Sequence, residues 1–530
     1  MKKIALFLLC IFLSVRIYSN TYYVAKNGND NANGFENTPW LTIQKAITVV
    51  SAGDTVYIKS GTYTERVILE TSGLIGNYIT LSNYLNDEVI IDGNGIIWDD
   101  PINRWNGLVD ISGLNYIKIY GLKIINSYFS GIFLENSSNI IIENNTTYNT
   151  FSSGIGVWSC NNITIKENEI ELACNLGGEE CISVSDSFNC QIFQNNVHHN
   201  GQGINGGEGI DIKQGSYDIN VYQNLVHHLN NRTGIYADAW DSHTYNINIY
   251  QNKVYNCTET GIAIASEFGG LLENINIYNN ISYNNKFEGI QLGGWTNEDY
   301  VGPTPVKHIK IINNTCYNNG SIANSYGFGI SIDNAFAEDV ILRNNICSEN
   351  SNQIQVINIL SGLVVDHNLI YGDNDNEYAI FGTEFILEDP LFIDASNLDL
   401  NLQSNSPAID FGSSNEAPNF DFNGTNRPIG DGFDIGAYEF NPSAQLENFS
   451  QNSINIYPNP FKNELTIDFS NNEKENIEIF VYTSFGKLIY TTKLSKNNFI
   501  LKRNNLPIGI YLLVITSENQ TLATKKIIIK

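Results

Sequence analysis

Gly209-Ile-Asp-Ile212, Gly234-Ile-Tyr-Ala237 and Gly261-Ile-Ala-Ile264 are successive copies of one short pattern: a glycine, an isoleucine, and a second apolar residue two places on. Working outward, the same step occurs earlier as Gly131-Ile-Phe-Leu134 and Gly154-Ile-Gly-Val157, and later as Gly289-Ile-Gln-Leu292 and Gly329-Ile-Ser-Ile332. Cys181-Ile-Ser-Val184 fills the remaining gap, so the copies fall 23 to 28 residues apart until a last interval of 40. Each step is followed by a second alternation, such as Ile140-Ile-Ile142, Ile163-Thr-Ile165, Ile247-Asn-Ile249 and Ile275-Asn-Ile277, and then by an asparagine. Asn144, Asn168, Asn195, Asn224, Asn252, Asn279, Asn313 and Asn344 are expected to share one place in successive repeats. Asparagine tolerates left-handed turn geometry and bonds a stacked neighbour, so one per repeat suits a ladder at a turn. Short alternating strands, turn residues at fixed phase and no helical period predict an all-β chain built as a right-handed parallel β-helix.

Composition agrees with a β-rich, loop-rich protein. The 530 residues include 43 Gly and a single Met, the initiator, and 42% are hydrophobic. The formal charge of −27 argues against a nucleic-acid partner, because gripping a phosphate backbone needs a basic footprint. Residues 1–20 read as a signal peptide, with Lys2 and Lys3 ahead of an apolar run from Ile4 to Val15. That run is too short to span a bilayer and no later stretch is long enough, so the mature chain is expected without a transmembrane segment, and as a monomer. The seven remaining cysteines form no CxxC pair and are expected as small buried hydrophobes.

Both ends carry recognisable motifs. Residues 21–65, with Tyr22-Tyr-Val24, Pro39-Trp40, Thr42-Ile-Gln-Lys45, Gly53-Asp-Thr-Val56 and Gly61-Thr-Tyr63, resemble the N-terminal module of secreted β-helix polysaccharide-active proteins. Residues 42–50 are expected to form a short amphipathic helix capping the solenoid. The β-helix proper is expected over 66–370. A closing segment over 371–445 carries Asn405-Ser-Pro-Ala-Ile-Asp410, Arg427-Pro428 and Asp434-Ile-Gly-Ala-Tyr-Glu439 and is expected as a structural cap. Over 446–530, Ile454-Asn-Ile-Tyr-Pro-Asn-Pro460, Gly486-Lys487 and Leu506-Pro-Ile-Gly-Ile-Tyr511 resemble the C-terminal sorting domain of the type IX secretion system. That resemblance implies a small β-sandwich, a partnership with the secretion machinery, and a secreted or cell-surface protein exported across the outer membrane.

Period-two alternation places the residue between the two apolar positions, and the one after them, on the outer face. Glu180, Glu208, Asp211, Lys213, Asp238 and Asp241 then fall within three adjacent coils, with Trp158, Tyr236, Trp240 and Trp295 around them. Carboxylates around one lysine beside exposed rings suit sugar handling: rings stack on pyranose faces, and carboxylates supply acid, base or Ca²⁺ ligation. Here the chain resembles family 9 polysaccharide lyases, the pectate-lyase-like group, over roughly 21–370. Glu208-Gly-Ile-Asp-Ile-Lys213 is similar to that family's acid-Gly-aromatic-x-x-Lys coil, in which the acid is a Ca²⁺ ligand. The sequence departs from the family where Arg232-Thr233 replace paired aspartates and where the catalytic lysine would fall at Ala263 or Gln291.

Three functions compete for an extracellular polysaccharide substrate. In a lyase cleaving a uronate-containing glycan by β-elimination, Glu180, Glu208 and Asp241, with Asp211, would hold Ca²⁺, Arg232 would neutralise the uronate, and Lys213 would be the base. The acids around Lys213 would instead hold it protonated. A glycoside hydrolase would pair Asp211 with Asp238, and a glycan-binding adhesin would only grip. His198-His199 and His227-His228 repeat in phase with Tyr255, Tyr283 and Tyr317, which reads as a turn-side aromatic stack, with metal or acid–base work as the alternative. Trp295 to Pro305, with Glu298, Asp299 and Tyr300, is expected to overhang the groove. Outside the signal peptide and the tail, residues 21–454 carry 16 basic against 50 acidic side chains, so the acidity belongs to the solenoid body.

Overall fold

A computed structural model describes residues 19–96, 106–202, 206–296, 299–320, 327–358, 360–442, 454–468, 477–483, 488–494, 498–503, 506–507, 509–517 and 520–530. Residues 1–18 of the expected signal peptide, and Glu298, lie outside them. The chain divides into two compact units, 1–439 and 440–530. In the first, the described residues form three parallel sheets of 13, 11 and 12 strands, each strand pairing with the equivalent strand one coil away. This is the right-handed parallel β-helix expected from the repeats. In the second unit, a three-stranded and a four-stranded antiparallel sheet close on a shared core that includes Ile467, Leu501, Val481 and Leu513, giving a small β-sandwich. No helix of the described residues is long and apolar enough to cross a membrane.

Alternation sets the solenoid interior. Ile210, Ile212, Ile235, Ile262, Ile264, Ile290 and Leu292 are fully buried and stack in register from coil to coil. The seven described cysteines are free and buried, and so act as small apolar side chains.

The asparagine ladder corrects the expected register at four positions. Its members are Asn145, Asn168, Asn195, Asn224, Asn252, Asn280, Asn314, Asn345 and Asn368, not Asn144, Asn279, Asn313 or Asn344. Those four, with Glu167, Gln194, Gln223 and Gln251, are the preceding residues, held at φ of 53° to 57°. One left-handed residue turns the chain by the corner and aims the next side chain inward, so the buried amide sits one place later than the turn residue. From Asn168 on, each ladder Oδ1 accepts both the backbone N–H and the side-chain N–H of the asparagine one coil earlier, at 2.9 to 3.1 Å, while Asn145 Oδ1 accepts the Leu122 N–H. Each Nδ2 also reaches a strand carbonyl, as Asn252 does to Val221 at 2.8 Å. Every buried polar atom at the bend is thereby satisfied without water.

Both ends of the solenoid are covered. Ile43–Ile47 is a short helix whose Ile43, Ala46 and Ile47 face the core, and Glu65 accepts the N–H groups of Ile43 and Gln44 at 3.0 and 2.9 Å. Residues 21–65 do more than cap: Thr21–Val24 and Thr55–Ile58 are themselves the first two strands of the 13-stranded sheet. At the other end, bridges from Thr383 and Ile386 to Asp366 and Leu369 cover the last coil. The rest of the closing segment is a strap along the flank. Asn279 donates to the Phe420 carbonyl, Asn313 to those of Asp434 and Gly436, and Asn344 to that of Ser413. The strap is pinned by Arg427, whose fully buried pair with Glu439 spans 2.7 Å.

Replacing Asn252 by alanine strands the Asn224 donors and the Val221 carbonyl in a dry interior. A loss of about 2–4 kcal/mol of stability is expected, read as a lower denaturant midpoint.

Candidate functional site

Strands Ile182–Ser185, Ile210–Lys213, Ile235–Asp238, Ile262–Ala265 and Ile290–Gly293 lie side by side in the 11-stranded sheet. Their register puts Ser183, Asp211, Tyr236, Ala263 and Gln291 in one outward row. Outward does not mean exposed: Asp211 is 2% and Tyr236 8% accessible, because the loops entering and leaving each strand wall the row in. The exposed aromatic cluster expected from alternation is therefore half wrong. The alanines at 263 and 265 leave a floor on which the Tyr236 ring lies, so that its hydroxyl donates to Glu267 one coil on.

Around this row opens a cleft of about 720 Å³, lined by Glu180, Glu208, Asp211, Lys213, Arg232, Tyr236, Asp238, Trp240 and Glu267, with Gly206 and Gln214. The structure thus gathers eight of the residues singled out in the sequence. Trp158 lies two coils away against Phe133, with ring centres 5.2 Å apart. Asp241 is exposed, bonded by Ser242, and does not line the cleft. Trp295 stands at its edge, its Nε1 3.4 Å from Glu267 and its ring 6.3 Å from that of Tyr236. Trp240 stacks on Phe268 at 5.4 Å, and Phe268 meets Tyr300 of the 295–305 insertion at 5.1 Å. Glu267, not among the residues singled out in the sequence, also belongs to the site, where it accepts the Tyr236 hydroxyl from the preceding coil.

Lys213 is fully engaged. Its Nζ donates to Glu180 Oε2 and Oε1 at 2.7 and 2.9 Å and to Glu179 Oε2 at 3.1 Å. Burial alone would lower its ammonium, but Glu180, Asp211 and Glu179 hold it well above the usual lysine value. Glu180 is further fixed by the Ser183 hydroxyl at 2.5 Å. Arg232 Nε lies 3.8 Å from Glu208 Oε1 and donates to the Gly206 carbonyl.

The cleft carboxyls are raised as well, by burial first and then by one another's charge. Burial, then the charge of Glu180, raises Glu208 to about 7, and burial with Glu267 raises Asp238 to about 7. Burial, then Glu180 and Asp238, holds Asp211 well above the ordinary carboxylate range. Asp211 Oδ1 is buried without a hydrogen-bond partner, and Asp238 Oδ1 accepts the Trp240 N–H at 2.7 Å. Among the described residues, no three cleft carboxylates bring oxygens within 4.8 Å of one another.

With this geometry in view, the chain was compared with known proteins. Residues 22–175 match the Pel9A-like, right handed beta helix region. Residues 455–530 match the secretion system C-terminal sorting domain, which marks the chain for export to the cell surface or beyond it. Pectate lyase PEL9 of Emericella nidulans is 30% identical over 153 residues, covering 27% of this chain and 37% of that protein. YwoF of Bacillus subtilis is 33% identical over 133 residues, covering 23% of this chain and 27% of that one. The matched stretches thus span well under half of these relatives. The crystal structure of pectate lyase Pel9A aligns with a TM-score of 0.48 at 17% identity, covering 80% of this chain and 96% of that one.

Carboxyls raised by folding bind protons in the native state that the unfolded chain has already released. Stability is therefore present at low pH and falls as pH rises from the ordinary carboxylate range through about 7. A melting temperature lower at pH 8 than at pH 5 is expected in calorimetry, with the slope reduced in Glu208→Gln and in Asp238→Asn.

Proposed function

We propose that this protein is a polysaccharide lyase that cleaves a uronate-containing glycan by β-elimination in the cleft of Glu208, Asp211, Lys213 and Asp238. The observation that carries the reading is Asp238: a buried carboxyl titrating near 7, on the wall of a cleft that also holds Lys213 and Arg232. A base poised near the working pH combines a usable ionised fraction with real basicity. Asp238 takes the C5 proton, the electrons form the C4–C5 double bond as the C4–O bond breaks, and Asp211, held protonated, gives its proton to the leaving oxygen. The role of base moves from Lys213 to Asp238 because Lys213 is kept protonated by Glu180 and Glu179. Arg232 supplies positive charge for the uronate carboxylate, and Trp240 on Phe268 offers a ring face to a sugar.

Ca²⁺, if bound, would be held by Glu208 and Glu180, hard oxygen donors of the kind it takes; among the described residues no three cleft carboxylates converge, so substrate and water oxygens would supply its remaining ligands. Such an ion, when bound, neutralises the substrate carboxylate. Asp211 and Asp238 favour a second reading, an inverting glycoside hydrolase with Asp211 as acid and Asp238 as base, since their surroundings hold both above the usual carboxylate range.

The test is incubation with a panel of uronans and neutral glycans, with and without chelator. Unsaturated ends absorbing in the near ultraviolet are expected, with kcat/KM rising as pH passes through about 7. Asp238→Asn is expected to lower the rate by about 10²–10⁴-fold. New reducing ends without that absorbance would establish the hydrolase, and binding with no cleavage of any glycan would leave an adhesin.

A further inference from the structure

Away from the cleft, at the turn after the 12-stranded sheet, His198 and His199 face each other with Nδ1 atoms 2.8 Å apart. One coil on, His227 and His228 repeat the arrangement at 2.7 Å. The rings stack between coils, His198 on His227 at 5.0 Å and His199 on His228 at 5.1 Å. His199 and His228 occupy the left-handed turn position that is asparagine in five other coils, Asn126, Asn149, Asn256, Asn284 and Asn318. An asparagine there satisfies the turn, so the fold does not call for histidine.

The two pairs differ in what surrounds them. His227 Nε2–H donates to Asn196 Oδ1 and Asn256 Nδ2 donates to His228 Nε2, both at 3.1 Å, which fixes both tautomers and closes a purely structural hydrogen-bond chain. His198 instead turns Nε2–H toward Glu169 Oε1 at 3.4 Å, leaving a lone pair on Nδ1. A carboxylate behind a histidine is the arrangement that orients metal-binding imidazoles. Glu171, in register with His198 on the preceding strand, brings a third ligand: one donor atom each from Glu171, His198 and His199 lies within 4.8 Å of the others.

We propose that Glu171, His198 and His199 form a binding site for a divalent transition metal, and that the ion is Cu²⁺. Two imidazole nitrogens at about 2.0 Å from a metal stand about 2.8 Å apart at a square-planar angle and about 3.3 Å apart at a tetrahedral one. The 2.8 Å separation of His198 and His199 fits the first, as does the 2.7 Å of His227 and His228, but among the described residues a carboxylate joins only the former pair, and its two nitrogens and one oxygen match the tetragonal preference of Cu²⁺. On binding, the His199 proton moves from Nδ1 to its exposed Nε2, so both ligands stay neutral and no net proton is released. The ion joins adjacent coils through Glu171 and His198.

The test is Cu²⁺ titration of the purified protein, followed by electron paramagnetic resonance and thermal melting. One equivalent with an axial spectrum, coupling to two nitrogens and a raised melting temperature is expected. His199→Asn, the residue other coils carry there, should keep the melting temperature of the metal-free protein while weakening binding at least tenfold and removing one nitrogen coupling. Glu171→Gln should weaken binding, and His243→Asn, at an exposed histidine paired with Glu273, should leave it unchanged. No saturable binding, or binding untouched by His199→Asn, overturns the proposal.

Discussion

Stacking of equivalent residues is the constraint on which the rest of this molecule depends. A parallel coil pairs its strands only with the coils above and below, so each bend must satisfy its own polar groups inside a dry core. The buried asparagines do this by passing two donors to the next Oδ1 and one to a strand carbonyl, and the left-handed residue ahead of each makes the corner tight enough for them to reach. Because the ladder fixes register, it fixes the outer face as well. Asp211, Tyr236 and Ala263 share one row only because Ile210, Ile235 and Ile262 are aligned beneath them.

That alignment explains the electrostatics of the cleft. Carboxyls from neighbouring coils are gathered along one buried wall of the cleft, Glu180, Glu208, Asp211 and Asp238 together. Desolvation and repulsion act together to raise Asp211, Glu208 and Asp238, the last two to about 7. Lys213 is raised too, because the same acids outweigh its burial and keep it an ammonium. A rigid solenoid can store this arrangement at little local cost because its stability is spread over coils held at both ends and strapped along one flank.

Much of the fold was legible in the sequence because its physics is periodic. The Gly-Ile step, the alternation after it and one asparagine per coil each report a local rule that recurs, and the tail motifs mark the sandwich. The four asparagines assigned one place early mark the limit. Asn144 and Asn145 are adjacent, both are asparagine, and only the backbone angle decides which is the turn and which is the buried rung. Asn279-Asn280, Asn313-Asn314 and Asn344-Asn345 pose the same ambiguity.

The sequence by itself determined the coil repeat, the inward and outward faces, the export signal at the tail and most of the residues that meet in the cleft, since all of these follow from spacing along one chain. Tertiary structure alone decided which outward residues are buried, that Asp241 and Trp158 stand apart while Glu267 joins Tyr236, that Lys213 is saturated by two glutamates, and that two histidine pairs of identical spelling have different surroundings. Those outcomes depend on loops and on side chains reaching across coils, where burial and the nearest charge set the chemistry, and neither is a function of sequence distance.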